Sequence, residues 1–380
     1  MKPKVLAISN NFPSPRFPER GAFVMNILSE MAAQGAKVDV IAPISWIAEL
    51  KNIKNKPKTI NFGLLSVESI FYIAIPQKIK QLKIQISKFN DLSFANAMKI
   101  RMKSTNYDFV YAHFFPSANA AHKVVAKYNL PIFLNLGESD PWDYDILYGK
   151  DYWIKKLHDF KGIITVSKRN LDYLLSRDAS LKSKTIYIPN GVNTKRFKPM
   201  DQKECRIKLG LPLDEKIVIF CGHFENRKGP LKVLEAINSL NIKGVFLGSN
   251  GPDKPIGPNV LYAGPVLNTE LPIWLNAADV FVLPSLSEGM SNAILEALGV
   301  GLPLVVSNLS FNTDFLTENE AIFVDPGSSK SIAEGIEKAL NEDINHSMRK
   351  SSYQLGQELS IENRIKKINK FVDERIKSQQ

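Results

Sequence analysis

Two glutamates, Glu288 and Glu296, stand eight positions apart in the run Pro284-Ser285-Leu286-Ser287-Glu288-Gly289-Met290-Ser291-Asn292-Ala293-Ile294-Leu295-Glu296. The run follows an apolar strand pattern and leads into a helical pattern from Asn292 to Leu298. The backbone amides of Gly289, Met290, Ser291 and Asn292 are expected to form an open first helical turn, where unsatisfied N–H groups and the helix dipole favour a diphosphate. Gly289 permits close approach of the backbone. Glu296 is placed to accept hydrogen bonds from a ribose diol, as acidic residues do in other nucleotide-binding folds, and Glu288 to face sugar hydroxyls. Standing alone, such a pair would more simply be an acidic helix face, so its surroundings decide.

The elements that must hold this run alternate between strand and helix. Val5–Ile8 reads as a strand, Ala22–Gln34 as a helix stopped by Gly35, and Val38–Ile41 as the next strand, a strand-helix-strand unit. Further strands are expected at Phe109–Ala112, Ile132–Leu136, Ile163–Val166 and Thr185–Ile188, giving a parallel α/β domain. The alternation breaks at Pro189-Asn190-Gly191-Val192-Asn193 and resumes with Ile217–Phe220, Val245–Leu247, Val260–Ala263, Val280–Leu283, Leu304–Val306 and Ile322–Val324. Residues 1–192 are therefore expected to form one Rossmann-like domain, joined by a returning C-terminal helix at 361–380, and residues 193–360 a second. Open α/β sheets bind ligands beyond the carboxyl ends of their strands, and the chemistry is expected in a cleft where the two sheets face each other.

Bulk properties agree. A chain of 380 residues exceeds what one hydrophobic core usually serves, and 44% hydrophobic with 23% charged residues is a globular composition. No window holds the ~18 continuous apolar residues of a membrane span, and the apolar stretch after Met1-Lys2-Pro3-Lys4 is too short for a signal-peptide core. A cytoplasmic protein is expected, with Cys205 and Cys221, the only cysteines, in structural roles. The net charge of +11 is concentrated: Lys51 to Lys103 carries eleven basic residues against Glu68 and Asp91. Within it, Ile75–Phe94 is partly amphipathic. Two readings stand, a solvated lysine-rich helix face or a surface that lies on an anionic membrane, making the protein peripheral to it. Nucleic acid is not expected as a partner, because aromatics are not interleaved with the basic residues as a stacking platform requires.

Taken in order, Ile188-Pro189-Asn190-Gly191-Val192-Asn193 with Phe197, the strand Ala277-Ala278-Asp279-Val280-Phe281-Val282-Leu283-Pro284-Ser285, and the paired glutamates resemble the retaining glycosyltransferases of the GT-B fold, specifically their large fourth family, the group 1 glycosyltransferases. The resemblance implies two Rossmann-like domains and metal-independent transfer, with retention of anomeric configuration, of a hexosyl or N-acetylhexosaminyl group. The donor would be a nucleotide-diphosphate sugar and the acceptor a glycan or lipid-linked molecule, in cell-envelope or capsular polysaccharide synthesis. No cofactor is implied. It also implies a basic pair after the first strand of the second domain, within Phe220-Cys221-Gly222-His223-Phe224-Glu225-Asn226-Arg227-Lys228-Gly229. Lys228 matches the family lysine. His223 occupies the family's arginine position, so either Arg227 supplies the second charge or the site relies on Lys228 and the helix amides.

In the first domain the loop Asn10-Asn11-Phe12 through Arg20-Gly21 is similar to the family's glycine-containing loop, with Gly21 letting the backbone approach a substrate, and Arg16 and Arg20 as contacts for an anionic acceptor. Asp108-Phe109-Val110-Tyr111-Ala112-His113 matches a strand ending in a histidine that touches the donor sugar or the reacting region. At the next strand end Leu136 stands where relatives carry a histidine, so Glu138 or Asp140 would serve the acceptor. Asp143-Tyr144-Asp145 has the spacing of a metal-holding triplet, but such triplets arise by chance, and no metal is assigned. Two competing readings are a non-catalytic GT-B subunit that binds a partner or an anionic surface, and a nucleotide-sugar 2-epimerase of the same architecture.

Overall fold

The computed structural model describes residues 2–14, 20–46, 59–76, 80–102, 106–138, 141–249 and 251–377, and divides into two compact units, Met1–Pro189 with Ile365–Gln380, and Asn190–Arg364. Arg16, Asp140 and, within the basic region, Lys51, Lys54, Lys56, Lys58, Lys78 and Lys103 lie outside the described residues.

Unit 1 holds β1 (Lys4–Ser9), β2 (Lys37–Ser45), β3 (Thr59–Phe62), β4 (Leu65–Tyr72), β5 (Phe109–His113), β6 (Ile132–Leu136), β7 (Gly162–Thr165) and β8 (Thr185–Tyr187). They form one sheet in the order β3-β4-β2-β1-β5-β6-β7-β8, parallel except where β3 pairs antiparallel with β4. Strands β5 and β6 are buried along their whole length, as a parallel sheet covered on both faces demands. The helix Ala22–Ala33 buries Val24, Ile27, Leu28 and Met31, one face at helical spacing. The chain's end belongs here: Phe371 meets Phe133 edge to face at 6.1 Å, and Arg375 Nε and Nη1 donate to the carbonyls of Lys161 (3.2 Å) and Ser183 (3.0 Å).

Unit 2 holds β9 (Ile217–Cys221), β10 (Lys243–Leu247), β11 (Val260–Gly264), β12 (Val280–Leu283), β13 (Leu304–Ser307) and β14 (Ala321–Val324), all parallel, in the order β11-β10-β9-β12-β13-β14. The units meet in sequence slightly away from the expected boundaries of 192 and 361. Val192 N–H donates to the Leu359 carbonyl (2.9 Å) and Ile361 N–H to the Val192 carbonyl (2.8 Å), and this pairing keeps both crossing segments with unit 2.

Both sheets change direction once. In unit 1 the chain runs outward from β1 through β2 and β4, then returns to β5; in unit 2 it runs outward from β9 through β10 and β11, then returns to β12. At such a switch point the connecting loops part and leave a crevice. The crevices lie beyond Ser9 and His113, which are register partners, and beyond Cys221 and Leu283.

The expected strands all form. β3 and β4 were not expected, and the amphipathic stretch is placed differently: a short turn at Lys80–Leu82 leads into a helix over Lys83–Arg101, while Ile73–Pro76 has no regular structure.

Candidate active site

In unit 2 the β9 and β12 loops clasp each other. Gly229, with φ of 74°, ends the short turn Asn226–Lys228, and a Cβ there would sit 3.0 Å from Pro284 Cγ, so only glycine lets the two loops come this close. Leu286 N–H donates to the Arg227 carbonyl (2.8 Å). Lys228 Nζ donates to Glu288 Oε1 in a largely buried ion pair. Arg227 donates through Nη1 to the Ser287 carbonyl (2.6 Å) and through Nη2 to Glu225 (2.7 Å), with Nη1 3.9 Å from Glu288 Oε2. Arg227 is thus a strut between the loops as well as a charge. Glu288 does not stand free toward a sugar here; it holds Lys228 in place.

The helix spans Asn292–Gly299 with Ser291 as N-cap, and the Ser291 hydroxyl makes no capping hydrogen bond. The open first-turn amides are therefore those of Asn292, Ala293 and Ile294, of which only Asn292 belongs to the expected set, with Gly289 and Met290 in the approach. The Met290 side chain is buried and its sulfur accepts from the Asn190 N–H at 3.1 Å, so it also anchors the Pro189-Asn190 segment. Glu296 lies one turn into the helix, half-buried, its carboxyl pushed up to about 7 by burial and drawn down in part by Arg196. The Arg196 guanidinium lies over the Phe197 ring (4.8 Å) and donates to Asn268 Oδ1 (2.7 Å). Sequence reasoning missed it, although it adjoins Phe197. Burial pushes the neighbouring Cys221 thiol up to about 12, which suits an inert structural cysteine. His223 is exposed, with its Nδ1 on Ser249 Oγ.

In unit 1 the β1 loop folds back on itself: Ser9 Oγ donates to the Asn11 carbonyl (2.8 Å) and Asn10 N–H to Ser117 Oγ (2.9 Å). Arg20 Nε donates to Asn11 Oδ1 at 3.2 Å. Gly21 has φ of 67°, and a Cβ there would lie 2.1 Å from the Asn11 carbonyl oxygen, so the glycine serves this loop's own packing. His113 ends β5. Its ring is 1% exposed, with Nε2 3.1 Å from Asn135 Nδ2 and its faces shut by Phe23 and Phe114 at centroid distances of 5.3 and 4.7 Å. Phe114, which covers it, has φ of 72°, a strained value for a bulky residue at a strand end facing a cavity.

That cavity, about 640 Å³, is lined among others by Arg20, Tyr72, Asp91, Glu138, Tyr144 and Tyr148. Glu138 accepts from Tyr144 Oη, while its Oε2 is closed off from solvent and has no partner among the described residues. Asp91 accepts from Asn119 Nδ2 (2.7 Å) and Tyr148 Oη (3.0 Å). Burial pushes both carboxyls up to about 7. In the Asp-x-Asp triplet, Asp145 is taken up by Trp153 Nε1 (2.7 Å) and Tyr173 Oη (2.8 Å), and Tyr144 by Glu138; Asp143 lines the cavity.

Two family models match, "Glycosyltransferase Family 4" over residues 21–196 and "Glycosyl transferases group 1" over residues 201–355. The chain belongs to this glycosyltransferase family. It is 28% identical over 359 residues, 90% of each chain, to TuaC of Bacillus subtilis, whose name assigns it to teichuronic acid biosynthesis. Over 152 residues, 35% of this chain and 38% of the relative, it is 36% identical to an Escherichia coli α-1,3-galactosyltransferase that acts on GlcNAc-diphosphoundecaprenol. Among solved structures, sucrose-phosphate synthase of Thermosynechococcus elongatus has a TM-score of 0.78 at 18% identity, covering 99% of this chain and all of that one. Anabaena HepE, solved with UDP and glucose, has a TM-score of 0.71 at 15% identity, covering 97% and 99%. The fold is GT-B, and the protein is a glycosyltransferase that takes its sugar from a nucleotide sugar. Both competing readings give way to this one.

Proposed function

We propose that this glycosyltransferase works with retention of configuration and without a metal, on a glycan or lipid-linked acceptor in bacterial envelope polysaccharide assembly. The observation that carries the reading is the uncapped first turn at Asn292–Ile294 together with Lys228 fixed by Glu288. Amides and an ammonium can offset a diphosphate's charge and stabilise it as a leaving group. Glu296 holds the ribose. As the bond from the anomeric carbon to the phosphate oxygen breaks, the acceptor oxygen bonds to that carbon on the same face, and the acceptor proton passes to the departing phosphate. The protein's part is positioning and electrostatic stabilisation. The unit 1 cavity receives the acceptor, with Glu138 and Asp143 in its lining to meet the acceptor's hydroxyls. The envelope role is drawn from the names of the relatives.

The test is turnover of UDP-, GDP-, ADP- and dTDP-sugars by chelator-treated protein, with the anomeric configuration of the product read by NMR. Turnover that persists in chelator and a retained product are expected. An inverted product overturns retention, and turnover abolished by chelator and restored by a divalent cation overturns metal independence.

A further inference from the structure

The helix Lys83–Arg101 has two faces of different chemistry. Its inner face supplies Ser87, Asn90, Asp91 and Phe94 to the wall of the unit 1 cavity. Its outer face exposes Phe89, Leu92 and Ile100, the last at 82%, with Leu82 at the preceding turn. At 100° per residue these four fall within an arc of about 80°. Beside them runs Ile73–Pro76, strapped down by the Ile73 N–H to Ser93 Oγ (2.9 Å), the Ile75 N–H to Asn90 Oδ1 (2.8 Å) and Asn90 Nδ2 to the Ile75 carbonyl (3.1 Å). Ile73 and Ile75 are also exposed. Six large apolar side chains thus share one surface, a concentration that marks an interaction site.

The charges say what covers it. Lys99 is exposed along the apolar stripe, Lys88 is exposed at its edge with its ammonium 5.2 Å from the Tyr152 ring centre, and the helix's single acid, Asp91, is buried on the opposite face. The outer face therefore offers apolar and cationic groups and no anion. A second copy of this surface would set lysine against lysine. An anionic bilayer accepts both, burying the apolar stripe at the acyl boundary and the lysines among the headgroups. No described helix is long and apolar enough to cross a membrane.

We infer that the outer face of helix Lys83–Arg101, with the Ile73–Pro76 strap, docks on an anionic lipid bilayer. Binding itself does not depend on the transfer reaction proposed above. If the cavity takes a lipid-linked acceptor, the same helix puts cavity and bilayer side by side.

Co-sedimentation of the full chain with vesicles tests this. Binding to phosphatidylglycerol–phosphatidylcholine vesicles is expected, weakening with salt and at least tenfold weaker on phosphatidylcholine alone. Phe89→Ser with Leu92→Ser should reduce binding at least tenfold while leaving melting temperature and nucleotide-sugar hydrolysis unchanged, and Lys99→Glu should cost about fivefold or more. Wild-type protein that ignores anionic vesicles, or a double variant that binds as well as wild type, overturns the inference. So does a wild-type dimer in size-exclusion chromatography that the double substitution dissolves, since the occupant would then be a second copy.

Discussion

The two switch-point crevices sit on sheets of the same parallel design and are furnished in opposite ways. The unit 2 crevice is built from two short runs, Gly222–Gly229 and Pro284–Glu296, and its loop charges are paired, Arg227 and Lys228 against Glu225 and Glu288, with Glu296 alone raised by burial. The unit 1 cavity is built from side chains scattered from Asn10 to Tyr148, and it keeps two carboxyls, Asp91 and Glu138, whose burial opposes their ionisation. A site that meets a fixed diphosphate needs backbone amides and a cation held in register, which local sequence can encode. A site that meets a polyhydroxylated acceptor needs side chains converging from several elements, which only the fold can assemble.

The sharpest way to break this contrast is at Lys228. Lys228→Ala should lower kcat/KM for nucleotide-sugar turnover by 100-fold or more, about 3 kcal/mol of lost charge stabilisation. It should also lower Tm, because Glu288 is left buried without its partner. Lys228→Ala combined with Glu288→Ala should recover much of the Tm and none of the activity. If the double variant regained activity, the pair would be structural and the diphosphate would be held elsewhere.

A second, smaller effect separates the buried unit 1 carboxyls from the ion-paired Glu225 and Glu288 of unit 2. A carboxyl whose folded pKa stands above its unfolded value carries an extra proton in the folded state between the two, so stability falls as pH rises through that window. For Asp91 the window runs from about 4 to about 7. Asp91→Asn keeps an acceptor for Tyr148 and removes the ionisation. Its Tm relative to wild type should therefore rise between pH 5 and pH 8, by a few degrees. A difference independent of pH would mean that Asp91 is ionised throughout, and the contrast between the two crevices would lose its electrostatic part.

How much of this was legible in the sequence follows the same division. Parallel strands such as Phe109–His113 and Val280–Leu283 are buried on both faces, so they read as apolar runs, and their turn residues fix where the crevices open. The strands Thr59–Phe62 and Leu65–Tyr72 were hidden because the first is fully exposed and the second is only half-covered, so neither makes an apolar run; their lysine-rich surroundings drew attention instead. Lys228, Glu288 and Glu296 were legible as types at fixed spacing, but the ion pair that joins Lys228 to Glu288 was not, since they lie 60 positions apart. His113 was legible at its strand end, but its packing was not, because nothing in Asp108–His113 says that Phe23 and Phe114 pack against the ring. Asp91 was read only as a charge, and its place in the cavity wall depends on which face the helix Lys83–Arg101 turns inward.

The smallest expected effect sharpens the unit 2 side of the comparison. His223 occupies the position where the family resemblance calls for an arginine, yet its ring is exposed and hydrogen-bonded to Ser249, while Arg227 and Lys228 converge on Glu288 from the adjoining turn. With the cationic work done by that turn and the open amides, His223→Ala should reduce kcat/KM less than threefold and leave Tm within a degree, as an exposed substitution normally does. Steady-state turnover across pH 6 to 8 would check it. A loss approaching that of Lys228→Ala would instead make His223 the second charge on the leaving group and return Arg227 to the role of a strut.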